Sequence, residues 1–189
     1  MKKTILIVGD SFAADWTKKY KGVGWVNILE SEFNVTNIAE AGVSEYKILK
    51  QLDSVNVNKY DYVIASHTSA YRIPVKEHPI HSKDILHKNC DLIYTDLKEH
   101  QNNPLAKIAV DFYSYLYDVD YAVFTHELIL KEIYTKFPNI INITFFDAFN
   151  QSINGIHLFE DVFLNNRGQM NHLTDKGNKI IYNKIRSLL

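Results

Sequence analysis

The chain has 189 residues, a hydrophobic content of 46% and a formal net charge of -1, enough apolar material to fill the core of one compact domain spanning residues 1–189. That charge provides no electrostatic footprint for nucleic acid, and no block of like charges marks a membrane-surface patch, so the expected partner is a small molecule. A single cysteine, Cys90, excludes an internal disulfide and any paired-thiol zinc site, which suits a reducing, cytoplasmic compartment.

The N-terminal Lys2-Lys3 followed by Thr4 to Val8 is too short an apolar run for a secretion signal and reads as a first strand. Its continuous apolar stretch, Ile5 to Val8, is what a strand buried on both faces of a parallel sheet requires. Helical spacing is expected over Ala13 to Tyr20 and again over Trp25 to Phe33, broken by Gly22-Val23-Gly24. A second strand, Asn34 to Ala39, and a helix, Ser44 to Leu52, follow. Tyr60 to Ser66 is the third strand. The polar stretch His78 to Asn103 should hold at least one helix and a mobile loop. Pro104 fits the first position of a helix running to Tyr117, and Tyr121 to Phe137 is the next helix, closed by Pro138. Ile140 to Phe146 is a further strand and Lys176 to Leu188 the last helix. Strands alternating with helices predict an α/β fold, a three-layer α/β/α domain with a central, mostly parallel sheet of about five strands. Sites in such folds form beyond the carboxyl ends of the strands.

Two positions carry chemistry. Ser11 follows the first strand in Gly9-Asp10-Ser11-Phe12, where the turn lifts its hydroxyl to the sheet edge and the N–H groups of an expected following helix could stabilise an oxyanion. A helix-capping role for this serine is the competing reading. The tetrapeptide has neither the ending of a phosphate-binding loop nor the spacing of a dinucleotide fingerprint. His172, in Asn171-His172-Leu173-Thr174-Asp175, lies just before the final helix, from which a doubly wound fold can return it to the first strand's edge as a base for Ser11.

Gly9-Asp10-Ser11, the stretch Asn37-Ile38-Ala39-Glu40-Ala41-Gly42-Val43-Ser44, the stretch Gly24-Trp25-Val26-Asn27-Ile28-Leu29 and His172 together resemble, in order and across nearly the whole chain, the sequence blocks of SGNH/GDSL hydrolases. The resemblance implies a flavodoxin-like arrangement, Ser11 as nucleophile, His172 as base, and an oxyanion held by the N–H groups of Ser11 and Gly42. It implies no cofactor. Two departures accompany it. The third block, which in the family carries an asparagine, here reads His67-Thr68-Ser69-Ala70, leaving Ser69, Thr68 or His67 as a replacement donor. Asp10, Thr68 and Arg72 are the candidate substrate contacts, Arg72 for an anionic group. The aspartate three residues before the histidine is replaced by Gln169, whose amide oxygen could accept the second ring N–H and orient His172. Asp147 and Asp161 are the carboxylates that could take the missing acid's place.

His78, His81, His87 and Cys90 match no familiar metal spacing, and no metal is expected. Phe112, Tyr113, Tyr115, Tyr117 and Tyr121 are read as the core side of helices packed on the sheet rather than a sugar platform. The expected activity is hydrolysis of a small acyl ester, with O-acetyl groups of a carbohydrate or metabolite as the substrate class. Transfer of the acyl group to a sugar hydroxyl, and ligand binding without catalysis, remain as alternatives.

Overall fold

The computed structural model describes residues 2–146 and 155–189. Strand β1 (Thr4–Gly9) alternates its side chains between two apolar layers, which is why its sequence is apolar throughout. Ile5 and Ile7 pack on one side with Trp25 and Leu29 of α1 (Trp25–Leu29) and with Ile181 and Ile185 of the terminal helix (Asp175–Arg186). Leu6 and Val8 pack on the other with Ile48 and Leu52 of α2 (Glu45–Asp53) and Ile133 of a long helix (Val119–Lys136).

Strand β2 (Asn34–Asn37) and β3 (Tyr62–His67) flank β1, all parallel, with Ile7 opposite both Asn37 and Ile64. The middle segment provides a short helix, α3 (Tyr94–Leu97), followed by one 3₁₀ turn, and then α4 (Pro104–Tyr115) and α5 (Val119–Lys136). Asn103 caps α4 by accepting the N–H groups of Leu105 and Ala106, with Pro104 in the first turn, where its missing N–H costs nothing. Strands β4 (Ile141–Thr144) and β5 (Ile156–Leu158) complete a five-stranded parallel sheet in the order β2-β1-β3-β4-β5, enclosed by helices in a three-layer α/β/α fold. The chain ends with α6 (Glu160–Asn165), β6 (Arg167–Met170) and α7 (Asp175–Arg186). No described helix is long and apolar enough to cross a membrane.

One expectation near the first strand fails. Residues after Ser11 do not begin an α-helix: the main-chain carbonyl of Asp10 accepts the N–H groups of Ala13 and Ala14, a tight turn, and only Trp16–Lys18 form a single 3₁₀ turn capped by Asp15. The apolar spacing there reflects Phe12, Ala13 and Trp16 packing inward from a turn. The aromatic cluster is also placed differently. Tyr115 is 81% and Tyr121 67% exposed, so much of it faces outward instead of into the core.

Candidate active site

Strand order reverses about β1, and a crevice is expected beyond the carboxyl ends of β1 and β3. The loops after β1, β2 and β3 and the turn between β6 and α7 meet at this edge. Oγ of Ser11 lies 2.8 Å from Nε2 of His172, across 161 positions of sequence. Ser11 is almost buried, and the His172 ring is wedged between the rings of Phe12 and Trp16, with centroids 4.7 and 4.9 Å away.

The contacts that hold this pair are main-chain and amide hydrogen bonds. Asn171 and His172 both adopt positive φ, 51° and 61°, a conformation uncommon outside glycine, though asparagine and histidine take it more often than most residues. The buried Asn171 amide donates to the main-chain carbonyls of Ser11 (3.3 Å) and Ala14 (2.8 Å). Gly24 allows this approach, because a Cβ there would come within 1.9 Å of Asn171 Oδ1. Trp16 Nε1 donates to the Ser11 carbonyl at 2.7 Å, and Trp25 Nε1 to that of Phe12 at 2.7 Å. On α7, buried Asn178 accepts the Trp25 N–H that opens α1 and donates to the Met170 carbonyl, locking the His172 turn to the rest of the domain. Gly24, Trp25 and Asn171 lie in stretches that carry the resemblance or flank the histidine, but the sequence assigns a supporting role to none of these residues. The available signal was Asn171 beside the histidine and an asparagine, Asn178, on the inner face of the last helix.

Burial, reinforced by the charge of Arg72 and by His87, lowers the His172 pKa to about 4, so the ring is neutral at pH 7. With its proton on Nδ1, Nε2 is free to accept from the Ser11 hydroxyl. Among the described residues no carboxylate contacts this imidazole. Asp161 is exposed on α6, and Asp147 lies outside the described residues. The Gln169 amide does not orient the ring either. Its side chain is exposed, and only its main-chain carbonyl is engaged, accepting the His172 backbone N–H at 3.2 Å. Ring position follows instead from the aromatic wedge and the strained turn.

In the loop after β2, Gly42 has φ of 78°, and a Cβ would sit 2.7 Å from Cys90 Cβ, so only glycine fits. Its carbonyl accepts the N–H of Asp91 (2.9 Å) and Nη1 of Arg72 (3.0 Å). The buried Asp91 carboxylate in turn accepts the N–H groups of Ser44 and Val75, fixing this loop. Neither the Ser11 nor the Gly42 N–H has an acceptor among the described residues.

The third-block residues divide. His67 is fully buried and has no spare donor: Nδ1 meets Glu45 Oε1 at 2.7 Å and Nε2 meets Asn142 Oδ1 at 2.8 Å, and the buried Glu45 partner raises its pKa against the cost of burial. Thr68 is also buried, its N–H given to Glu45 and its hydroxyl oxygen accepting Nε of Arg72 at 3.4 Å. Ser69 and Arg72 line a cavity of about 320 Å³ whose outer walls include Phe112, Leu116 and Tyr121; neither Ser11 nor His172 lines it. Asp10 is closed off from solvent. One carboxylate oxygen accepts the Phe12 N–H and the Ser66 hydroxyl, the other has no partner among the described residues, and burial raises its pKa to about 7.

The histidine-rich segment forms a separate cluster. Ligand atoms of His78, His81 and Asp96 lie within 4.8 Å of one another, while Cys90 is buried elsewhere with its thiol pushed up to about 12 by burial. His78 Nδ1 accepts the N–H groups of Ile80 and His81, 3.2 Å each, which leaves the ring proton on Nε2. That nitrogen therefore turns a hydrogen, not a lone pair, toward Asp96, and the donor set does not suit a cation.

No family model matches this chain, and no curated protein matches it.

Proposed function

We propose that this protein is a serine ester hydrolase of the SGNH type that cleaves a small acyl ester through an acyl-enzyme. The observation that carries the reading is the 2.8 Å approach of Ser11 Oγ to a neutral His172 at the carboxyl edge of the sheet. A serine hydroxyl is a weak nucleophile until a base takes its proton, and this geometry meets that need. Ser11 Oγ bonds to the acyl carbon as its proton passes to His172 Nε2. The carbonyl oxygen, now negative, is stabilised by the N–H groups of Ser11 and Gly42. As the tetrahedral carbon collapses, the bond to the alcohol breaks and His172 returns the proton to the departing oxygen. Water, deprotonated by His172, then attacks the acyl carbon, the bond to Ser11 breaks as His172 returns the proton to Oγ, and the acid leaves.

The resemblance to SGNH hydrolases supports this assignment of roles, as does the absence of any acceptor for the two N–H groups among the described residues. Without a carboxylate on its Nδ1, the imidazolium formed during attack lacks a counter-charge, a loss that cost about 10⁴-fold in a serine protease. Turnover on generic esters is accordingly slow. A lone buried cysteine fits a reducing compartment, and the substrate class we propose, an acetyl ester of a carbohydrate or metabolite, follows from the resemblance.

The deciding experiment is labelling with an organophosphorus probe together with turnover of a short-chain activated ester. The expected result is stoichiometric modification of Ser11, with Ser11→Ala neither labelled nor active and His172→Ala labelled far more slowly. Unchanged ester turnover in Ser11→Ala overturns the proposal. A sugar acceptor added to the assay separates hydrolysis from acyl transfer, since only transfer changes the product.

A further inference from the structure

Helices α4 and α5 carry apolar side chains on two opposite sides. On α4, Ala106 and Val110 are buried with Leu97, whereas Leu105, Ile108, Phe112 and Tyr115 follow 3-4-3 spacing along the other side and are 63, 64, 42 and 81% exposed. On α5, Leu130 and Ile133 are buried while Tyr121, Phe124 and Leu128 repeat that spacing outward. A surface helix ordinarily has one apolar stripe facing one core. These two helices have a second stripe each, and the described residues cover only the first.

We propose that the second stripe is the contact surface for another copy of this chain, with two α4 helices packed antiparallel about a two-fold axis near Ala109 and Val110 and the α5 helices alongside. The seven side chains are 42 to 81% exposed, apolar surface of the kind that fills the core of a specific interface, which typically buries about 800 Å² per partner. A two-fold contact must be self-complementary, and the order of residues along α4 is. Antiparallel packing about that axis sets Leu105 against Tyr115 and Ile108 against Phe112 of the second copy. It also brings Lys107 beside Asp111 of the second copy. Within one chain these two side chains already pair at 2.9 Å on the helix flank, so two copies exchange partners without losing a charge pair. Residues 104–136 carry five carboxylates and three lysines, a balance that disfavours an anionic lipid surface as the occupant. Because Phe112 and Tyr121 also line the 320 Å³ cavity that holds Ser69 and Arg72, the second copy would roof that cavity.

The test is sedimentation velocity on the full chain from low micromolar to on the order of 100 µM. The expected species has twice the 21.9 kDa chain mass. Ile108→Glu and Phe112→Glu, at exposed positions, should give folded monomers by circular dichroism. Lys107→Asp and Asp111→Lys should each weaken dimerisation about fivefold, and the double swap should restore it. A wild type that stays monomeric throughout overturns the proposal, as does a dimer untouched by Ile108→Glu. Binding of the monomer to phosphatidylcholine vesicles, lost in Phe112→Glu, would assign the face to lipid instead. If the glutamate variants misfold, the charge-swap series decides, since failure of the double swap to recover the dimer removes the antiparallel arrangement.

Discussion

The side-chain amide of Asn171 donates to the main-chain carbonyl of Ser11 at 3.3 Å, so the residue beside the proposed base is bonded to the backbone of the proposed nucleophile. The same amide reaches the Ala14 carbonyl at 2.8 Å, and together these bonds set the distance between the two loops. Asn171→Ala removes both donors and also places alanine at a φ of 51°. The expected outcome is a stability loss of about 1–3 kcal/mol in chemical denaturation. Ester turnover should fall by roughly 10–100-fold in kcat with little change in KM, because a displaced base affects the reacting geometry more than binding. A kcat within twofold of wild type would mean that the Phe12 and Trp16 rings alone hold the imidazole.

The pH profile should show an unusually acidic limb. His172 is lowered to about 4 by burial, by Arg72 and by His87, so its base form persists well below the usual histidine range and kcat/KM should decline only as pH falls through about 4. Removing the guanidinium with Arg72→Met should raise the histidine's pKa and move the limb upward by roughly half a unit to one unit. The stability linkage has the same sign. A histidine whose folded pKa lies below its unfolded value contributes stability that is complete above about 6.5 and is lost as pH falls toward 4. An acidic limb near 6.5 in the wild type would show the ring to be solvated.

Asp10 gives the opposite dependence. Its folded pKa, about 7, is above the unfolded carboxylate value, so its contribution to stability is present in acid and lost as pH rises through about 7, when a buried charge forms. Asp10→Asn keeps an oxygen for the Phe12 N–H and the Ser66 hydroxyl but cannot ionise. The variant should therefore gain about 1–4 kcal/mol relative to wild type as pH rises from 4 to 7, with the difference level above that, measured by denaturant titration at each pH. A constant difference across that range would mean that Arg72 already compensates the carboxylate.

The elements legible in the sequence are those whose pattern has one cause. Ile5 to Val8 is apolar because both its faces are buried, and Pro104 marks a helix start because no other position tolerates it so well. Strand β5 had no such signal: it has three residues, lies at the sheet edge and leaves His157 and Leu158 exposed. The turn after Ser11 was mistaken for a helix because Phe12, Ala13 and Trp16 are all buried at intervals that a helix would also produce. Apolar content alone predicts core positions for the aromatic residues from 112 to 121, because it does not distinguish the buried side of a helix from the exposed one. At the proposed site, Ser11, Gly42 and His172 could be named from short motifs, whereas Asn171, Trp16 and Asn178 act through bonds to main-chain atoms, and such partners leave no pattern in the one-dimensional order of residues.

The 161 positions between Ser11 and His172 also place their meeting in time. At about 5–20 residues per second, a ribosome would take roughly 10–30 s to travel from one to the other. Through that interval Ser11 is an ordinary hydroxyl on a growing chain, without an imidazole to take its proton. The pair assembles only when the β6–α7 hairpin closes onto the β1 turn through Asn171 and Asn178. The proposed Ser–His pair thus cannot form until almost all of the sheet and its covering helices have emerged.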